Sequence, residues 1–249
     1  MVTGVSREAG IGAAIARRLA HDGLALFLTG WSPHDAEQEW GADPGGAARI
    51  RDELRDIGVP VEHMEVDLGD PAAPRRVMSM ALHAFGHVDV LVANHARSSQ
   101  QDLFALTAAE LDASFAVNAR ATLLLVRHFA EQHRAGHVVL FTSGQYHGAM
   151  PQELPYIASK AVVQQLSPAL AVGLAPRGIT VNCVNPGPND TGYAVGDQRV
   201  DVERMMPGGR WGRPEDTARL VSWLASAESS WVTGQTIASD GGWSARGGG

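Results

Sequence analysis

Residues 1–12 read MVTGVSREAGIG. Gly4, Gly10 and Gly12 flank a short polar loop, and an apolar-periodic stretch opens at Ile11. Glycine permits tight dihedrals and close backbone approach. A helix N-terminus near Ile11 would offer free N–H groups and a positive dipole end to a pyrophosphate. Such a loop follows a buried strand, yet only Met1, Val2 and Thr3 precede Gly4, where a central strand of roughly five or six residues is expected. VTG therefore reads as the end of a truncated first strand, and an N-terminal extension restoring apolar strand residues is expected to raise the melting temperature. A glycine-rich turn with no ligand can share these letters, so the rest of the chain has to decide.

Outward from that loop, short apolar runs alternate with longer helical patterns. LALFLT (24–29), VEHMEV (61–66), VDVLVA (88–93), HVVLFT (137–142), ITVNCV (179–184) and QTIASD (235–240) read as strands. Several are nearly continuous in Val, Ile, Leu and Phe, as expected of strands covered on both faces. Helical patterns run over 11–21, 46–57, 71–85, 108–133, 154–175 and 214–226, the last opened by Pro214 and Glu215. Strand–helix alternation predicts an α/β fold, a doubly wound parallel sheet with helices on both faces. Residues 31–46 read as a polar insertion after the second strand. No repeat or linker interrupts the chain, so 1–249 is expected to be one domain.

Composition narrows the function. The chain is 45% apolar and 19% charged, an ordinary globular balance, and its net charge of −7 argues against nucleic acid, which needs clustered basic residues. Cys183 is the single cysteine, which excludes an intrachain disulfide framework and a cysteine-rich metal site; no metal is expected. Its strand-like flanks suit a buried structural thiol. With no signal peptide and no long apolar run, the expected location is cytoplasmic and no membrane partner is expected.

The chemistry lies in TSGQYHGAMPQELPYIASKAVVQ (142–164). Tyr156 and Lys160 are four residues apart and share one helix face. Ser143 ends the fifth predicted strand, at the carboxyl edge where ligands of doubly wound sheets sit. Carbonyl reduction needs a proton donor while hydride arrives from a cofactor. Tyrosine can be that acid, with a nearby ammonium to lower its high pKa. Serine can hydrogen-bond the carbonyl oxygen. On spacing alone, the same pair could be a half-buried tyrosine beside a solvated lysine.

Taken together, TG…GIG, Asp67–Leu68, VNA (117–119), Ser143, Tyr156-x-x-x-Lys160 and NPG (185–187) resemble the classical short-chain dehydrogenase/reductases, over essentially the whole chain. RWGRPEDTARLVSWLAS (210–226) and VTGQTIASDGGW (232–243) resemble the 3-oxoacyl-acyl-carrier-protein reductase branch. The resemblance implies a Rossmann-like fold with Tyr156 as acid/base, Lys160 lowering its pKa and holding the nicotinamide ribose, and Ser143 positioning the carbonyl. It implies that Asn118 supports a water-linked proton path to the lysine. Gly4, Ser6, Arg7, Gly10, Ile11 and Gly12 would line the phosphates and ribose. Asp67 and Leu68 would border the adenine and Asn94 the adenosine ribose. Pro186, Gly187 and Thr191 would meet the carboxamide end of the nicotinamide. Two departures stand out. The family loop has three residues between its first two glycines and GVSREAG has five; ANHA (93–96) replaces the usual NNAG, so that His95 either shapes the pocket, touches substrate or packs as a loop histidine.

NAD-preferring relatives carry an acid at the end of the second strand, and FLTGWSP has none before Asp35. Arg7 suits a 2′-phosphate, so NADP(H) is expected over NAD(H). Gln145, His147, Met150 and Leu154 are expected on one side of the substrate pocket, with 192–210 as a lid on the other. A 3-oxoacyl thioester is the family-level substrate; a polyketide, a sugar or another secondary alcohol fits the residues equally well. A nucleotide-binding sensor that has lost its chemistry is the alternative to an enzyme, and the presence of all four of Ser143, Tyr156, Lys160 and Asn118 argues against it. The family resemblance also implies a homotetramer.

Overall fold

The computed structural model describes residues 1–194 and 196–246, with the backbone alone at 196–198. Val195 and the side chains at 196–198, within the expected lid, and residues 247–249 lie outside the described residues. Seven strands form one parallel sheet: β1 (Val2–Thr3), β2 (Leu26–Gly30), β3 (Val61–Glu65), β4 (Val90–Ala93), β5 (Gly136–Phe141), β6 (Ile179–Asn185) and β7 (Thr236–Ala238). Their order is β3-β2-β1-β4-β5-β6-β7. This is the predicted α/β, Rossmann-like class, with the order reversing between β1 and β4, the crevice where such sheets bind ligands.

β1 is short and central. Val2 and Thr3 pair with Leu28 and Thr29 on one side, and Val2 with Val92 on the other. Val5 N–H donates to the Thr29 carbonyl at 2.8 Å and Val92 N–H to the Met1 carbonyl at 2.9 Å, so the ladder continues past the two strand residues.

Alternation along the strands feeds two cores. Leu91, Val138 and Leu140 face one side, with Val77, Leu125 and Phe129; Val92, Val139 and Phe141 face the other, with Ile15, Leu54 and Val221. Helices α1 (Ile11–His21), α3 (Gly46–Asp56) and α9 (Pro214–Leu224) cover the second core; α4 (Ala73–Phe85), α6 (Thr122–Ala130) and α7 (Leu154–Leu174) cover the first. Burying both faces is why the central strands carry apolar residues at every position rather than at alternate ones.

Two elements differ from the sequence reading. The helix expected over 108–133 is α5 (Ala108–Ser114), a π-helical segment over Phe115–Ala121 and then α6, and it stops at Ala130. The polar insertion contains a short helix, α2 (Ser32–Ala36), started by Pro33 in its first turn. A further helix, α8 (Gly196–Met205), lies in the stretch expected as a lid. Among the described residues no helix is long and apolar enough to cross a membrane.

Candidate active site

The phosphate loop is built by close contact. Gly4 has φ +74°, and a Cβ there would lie 2.8 Å from His95 Cα; a Cβ on Gly12 would lie 2.2 Å from the Gly4 carbonyl oxygen. Only glycine lets the start of α1 and the end of β1 come this near. The Asn94 amide donates to the Thr3 and Gly4 carbonyls at 3.2 and 3.1 Å. Asn94, expected by the adenosine ribose, pins the loop through these bonds. The two extra loop residues are held by neighbours: Glu8 N–H donates to Asp43 Oδ2 at 3.0 Å, Arg17 Nη1 donates to the Glu8 carbonyl at 2.9 Å, and Arg49 pairs with both Glu8 and Asp43.

A cleft of about 500 Å³ opens beside this loop, lined by Gly4, Ser6, Asp35, Asp67, Leu68 and Val117 among others. Asp67 and Leu68, expected beside the adenine, are among the residues lining this cleft. The residues present fit a dinucleotide: a glycine cradle that a Cβ would fill, next to a helix N-terminus and a cleft of suitable size. Arg7 also has partners within the protein. Its Nη2 donates to the Thr191 carbonyl at 2.9 Å, and its guanidinium lies 5.8 Å from the centroid of the Trp40 ring. Thr191 and Trp40 thus hold one edge and one face of the guanidinium.

Ser143 follows β5, and Tyr156 and Lys160 sit one turn apart on α7. The Ser143 side chain lies beside the Tyr156 phenol. Lys160 is buried, with Nζ donating to the Phe141 carbonyl at 3.1 Å and lying 5.9 Å from the Tyr156 ring centroid. The lysine was expected to lower the phenol's pKa; here burial prevails. Desolvation pushes Tyr156 up to about 12; the neighbouring Ser143 hydroxyl offsets part of this, and the Glu153 charge adds to it. Burial brings Lys160 down to about 8. One N–H of the ammonium is held by a backbone carbonyl, and burial of the phenol favours its protonated form.

Asn118 lies in the π-helical segment, where the wider turn disturbs the regular carbonyl ladder. Its Oδ1 accepts from Arg97 N–H at 2.6 Å; its Nδ2 donates to the Arg97 carbonyl at 3.0 Å and to Ser159 Oγ at 2.9 Å. Ser159 in turn donates to the Tyr156 carbonyl at 2.7 Å. The amide thus joins the loop after β4 to the helix of Tyr156. Two carbonyls of the same segment take side-chain partners: Asn118 accepts from Thr122 Oγ1 at 2.8 Å, and Val117 accepts from His95 Nε2 at 3.1 Å.

His95 is buried, and its Nδ1 is 2.7 Å from Thr3 Oγ1. Both ring nitrogens are engaged within the protein. Of the readings left open for it, the packed loop histidine and the pocket-shaping one are both met: the ring is held within the protein and lines the cleft. Gln145, expected to face substrate, turns inward: Oε1 accepts from Ser143 N–H at 3.1 Å and Nε2 donates to Thr142 Oγ1 at 2.8 Å. His147 is exposed, its ring 3.8 Å from that of Tyr146. Met150 and Leu154 are half-buried beside the start of α7. Gly187, at φ +63°, would drive a Cβ to 2.3 Å from that of Asp240, and Pro186 accepts from Asn189 Nδ2 at 2.6 Å, so this turn is fixed by packing.

Two residues near the phenol, Tyr193 and Glu153, and Trp211 behind Tyr193 went unnamed as site residues in the sequence reading. Tyr193 is pushed up to about 12 by burial and by the charges of Glu153 and Tyr156, and its ring meets Trp211 edge-on at 5.8 Å. Glu153 is raised by burial. Glu153 stood close to Tyr156 in sequence and Tyr193 within the 192–210 stretch, whereas Trp211 lay in the 210–226 segment read only for its family resemblance.

With the geometry in hand, comparison with known proteins is decisive. A family profile described as enoyl-(acyl carrier protein) reductase matches residues 4–244. An uncharacterized oxidoreductase of Bacillus subtilis is 36% identical over 247 residues, covering 97% of this chain and 95% of that one. A short-chain dehydrogenase/reductase from Serratia marcescens superposes with TM-score 0.87 at 30% identity, covering 98% of this chain and 96% of its own. The chain belongs to the short-chain dehydrogenase/reductase family. Another structure of similar fold, a blue fluorescent protein from a metagenomic library in complex with NADPH, has TM-score 0.87 and 31% identity, with 97% and 96% of the two chains covered. Membership in the short-chain dehydrogenase/reductases makes this protein an oxidoreductase acting on carbonyl and alcohol groups with a nicotinamide cofactor.

Proposed function

We propose that this short-chain dehydrogenase/reductase interconverts a ketone and a secondary alcohol, with Tyr156 as the proton-transferring group. The observation that carries the reading is the convergence of Ser143, just past β5, with the Tyr156 phenol, and buried Lys160 one turn along α7. A bound dihydronicotinamide supplies the hydride that reaches the carbonyl carbon. Ser143 holds the carbonyl oxygen, and Tyr156 Oη gives that oxygen its proton. A phenol still protonated at neutral pH suits reduction. In the opposite direction the phenolate takes the alcohol proton. Lys160, with its pKa near neutrality, is suited to hand a proton back to Tyr156. Asn118 acts as a positioning residue, tying the loop after β4 to α7 through Arg97 and Ser159. Gly4, Ser6, Gly10, Ile11, Gly12, Asp67 and Leu68 hold the dinucleotide, and Pro186, Gly187 and Thr191 face its nicotinamide end.

A 3-oxoacyl thioester is the first substrate to try, followed by cyclic and polyketide-like ketones that the aromatic rings of Tyr193 and Trp211 could contact. The test follows nicotinamide absorbance with a panel of such ketones. Tyr156→Phe is expected to lower kcat by about 10²–10⁴-fold while dinucleotide affinity is retained. Full turnover in that variant overturns the assignment, and binding without turnover in the unaltered protein returns the sensor reading. The reading includes a homotetramer, supported by apolar side chains left exposed on α7 (Val172) and ahead of β7 (Trp231).

A further inference from the structure

His95 stands where three parts of the site meet. It lies just past the end of β4, and both its backbone and its ring turn to β1. The His95 N–H donates to Thr3 Oγ1 at 3.3 Å, and Nδ1 is 2.7 Å from the same hydroxyl. A Cβ on Gly4 would lie 2.8 Å from His95 Cα, so the phosphate loop rests directly on this backbone. On its far edge the ring reaches the π-helical segment, with Nε2 3.1 Å from the Val117 carbonyl and 3.4 Å from Thr122 Oγ1. The side chain is buried and lines the dinucleotide cleft.

These partners place the protons. The Val117 carbonyl needs a donor, so Nε2 carries the imidazole proton and Nδ1 accepts from the Thr3 hydroxyl. Thr122 Oγ1 gives its own proton to the Asn118 carbonyl at 2.8 Å, which leaves its oxygen able to accept from Nε2. The Val117 carbonyl belongs to the rigid peptide unit entering Asn118, and the Asn118 carbonyl to the unit leaving it. Both units are therefore held by side chains, one by His95 and the other by Thr122. The Asn118 amide is aimed from between them at the Arg97 backbone and at Ser159, and Ser159 holds the Tyr156 carbonyl.

We propose that His95 is a positioning residue that joins the dinucleotide loop to the proton-transferring helix: Nε2 sets the peptide unit entering Asn118 and, through Ser159, the seat of Tyr156 on α7, while Nδ1 anchors that assembly to β1 ahead of Gly4. The proposal rests on the reading of Tyr156 as the proton-transferring group. A small side chain, as in the NNAG that ANHA replaces, could not span from Thr3 to Val117. The imidazole spans it with both nitrogens paired, so no buried polar atom of the ring is left unsatisfied. Neither nitrogen is left over for substrate, and the influence of His95 on the reaction passes through Asn118. A misplacement of about 1 Å at a reacting centre can cost on the order of 10²-fold in rate, so a brace at this distance has a measurable effect.

Asparagine and glutamine separate the two bonds. The oxygen of asparagine takes the place of Nδ1 and keeps the Thr3 bond alone; the amide nitrogen of glutamine takes the place of Nε2 and keeps the Val117 bond alone. The test measures ketone turnover and NADH and NADPH affinity for His95→Asn, His95→Gln and Tyr156→Phe, under conditions where each is fully folded by urea titration. His95→Asn is expected to lower kcat about tenfold, with ketone KM and dinucleotide affinity changed less than about threefold. His95→Gln should recover most of that loss. Amide hydrogen exchange over 115–121 is a readout independent of turnover, and should be about tenfold faster in His95→Asn than in His95→Gln. A histidine that only fills space would give both variants the same kcat and the same exchange, and either equality overturns the proposal, as does a raised KM with kcat unchanged. If the asparagine form does not fold, His95→Ala takes its place in the comparison with glutamine. Turnover retained in Tyr156→Phe fails the reading of the phenol; turnover lost there, beside equal asparagine and glutamine forms, fails the role of His95 alone. If the unaltered protein turns over no ketone, the exchange comparison decides.

Discussion

The Val117 carbonyl fixes a proton on Nε2 of His95, because a carbonyl can only accept. Neutral imidazole then has a bare Nδ1, which accepts the Thr3 hydroxyl at 2.7 Å. Burial, with the Lys160 charge nearby, brings the imidazole down to about 3. In the unfolded chain it titrates near 6.5. The folded pKa is the lower one, so the unfolded state binds more protons between the two values, and this contribution to stability is whole above about pH 6.5 and drains away as pH falls toward 3. His95→Gln is expected to be less stable than the unaltered protein at pH 7. The gap between their urea midpoints should close on acidification to pH 4, by up to about 1.4 kcal/mol for each pH unit. A gap independent of pH would mean that the imidazole is not buried neutral. Asn118 shows the same economy of partners: Asn118→Ala leaves the Arg97 N–H and carbonyl without their bonds. Urea unfolding should report a loss of about 1–3 kcal/mol, and kcat should fall more than KM changes, because Ser159 and the Tyr156 backbone lose their brace.

At the scale of elements, the π-helical segment is where regular secondary structure yields to the site. The segment over Phe115–Ala121 turns Asn118 toward Ser159 and presents the Val117 and Asn118 carbonyls to His95 and Thr122. An unbroken α-helix would keep both carbonyls in its own ladder. The junction of β1 and α1 obeys a different constraint, that of distance. Gly12→Ala would set a Cβ 2.2 Å from the Gly4 carbonyl oxygen, and neither backbone can yield without parting the loop from β4. The expected outcome is a loss of about 1–3 kcal/mol in chemical unfolding, together with loss of dinucleotide binding in the titration. Unchanged affinity in a folded Gly12→Ala protein would remove this helix start from the binding site.

For the molecule as a whole, each face of the sheet owns a separate core, and the central strands are buried on both sides. That arrangement tolerates a two-residue β1, because Val2 packs within the second core and its neighbours β2 and β4 are each paired on both edges. The outer surface is less complete. Phe104 and Trp231 are almost fully exposed, and Val172 stands out from α7. Burying such side chains between copies is favourable at roughly 25 cal/mol for each Å² of apolar surface removed from water. Light scattering is expected to give the mass of four chains, and Val172→Glu to lower it; a monomeric mass for the unaltered protein ends the tetramer proposal.

The amino-acid sequence by itself determined whatever depends on period and short spacing. Continuous apolar runs between helical patterns specified a parallel sheet with two covered faces. The four-residue step from Tyr156 to Lys160 specified one helix face, and the end of β5 specified the level of Ser143. Those relations are local, so chain geometry enforces them. It was the tertiary structure that decided where long polar side chains spend their hydrogen bonds. Arg7 finds the Thr191 carbonyl 184 residues away, His95 finds Thr3 across 92, and Ser6 finds Asp35 across 29. The letters at 31–46 show polarity and no period, so neither the short helix nor its place beside the cleft could be read from them. A flexible side chain has many rotamers and only a few unpaired partners within reach, and which partner lies there is set by the packing of distant segments.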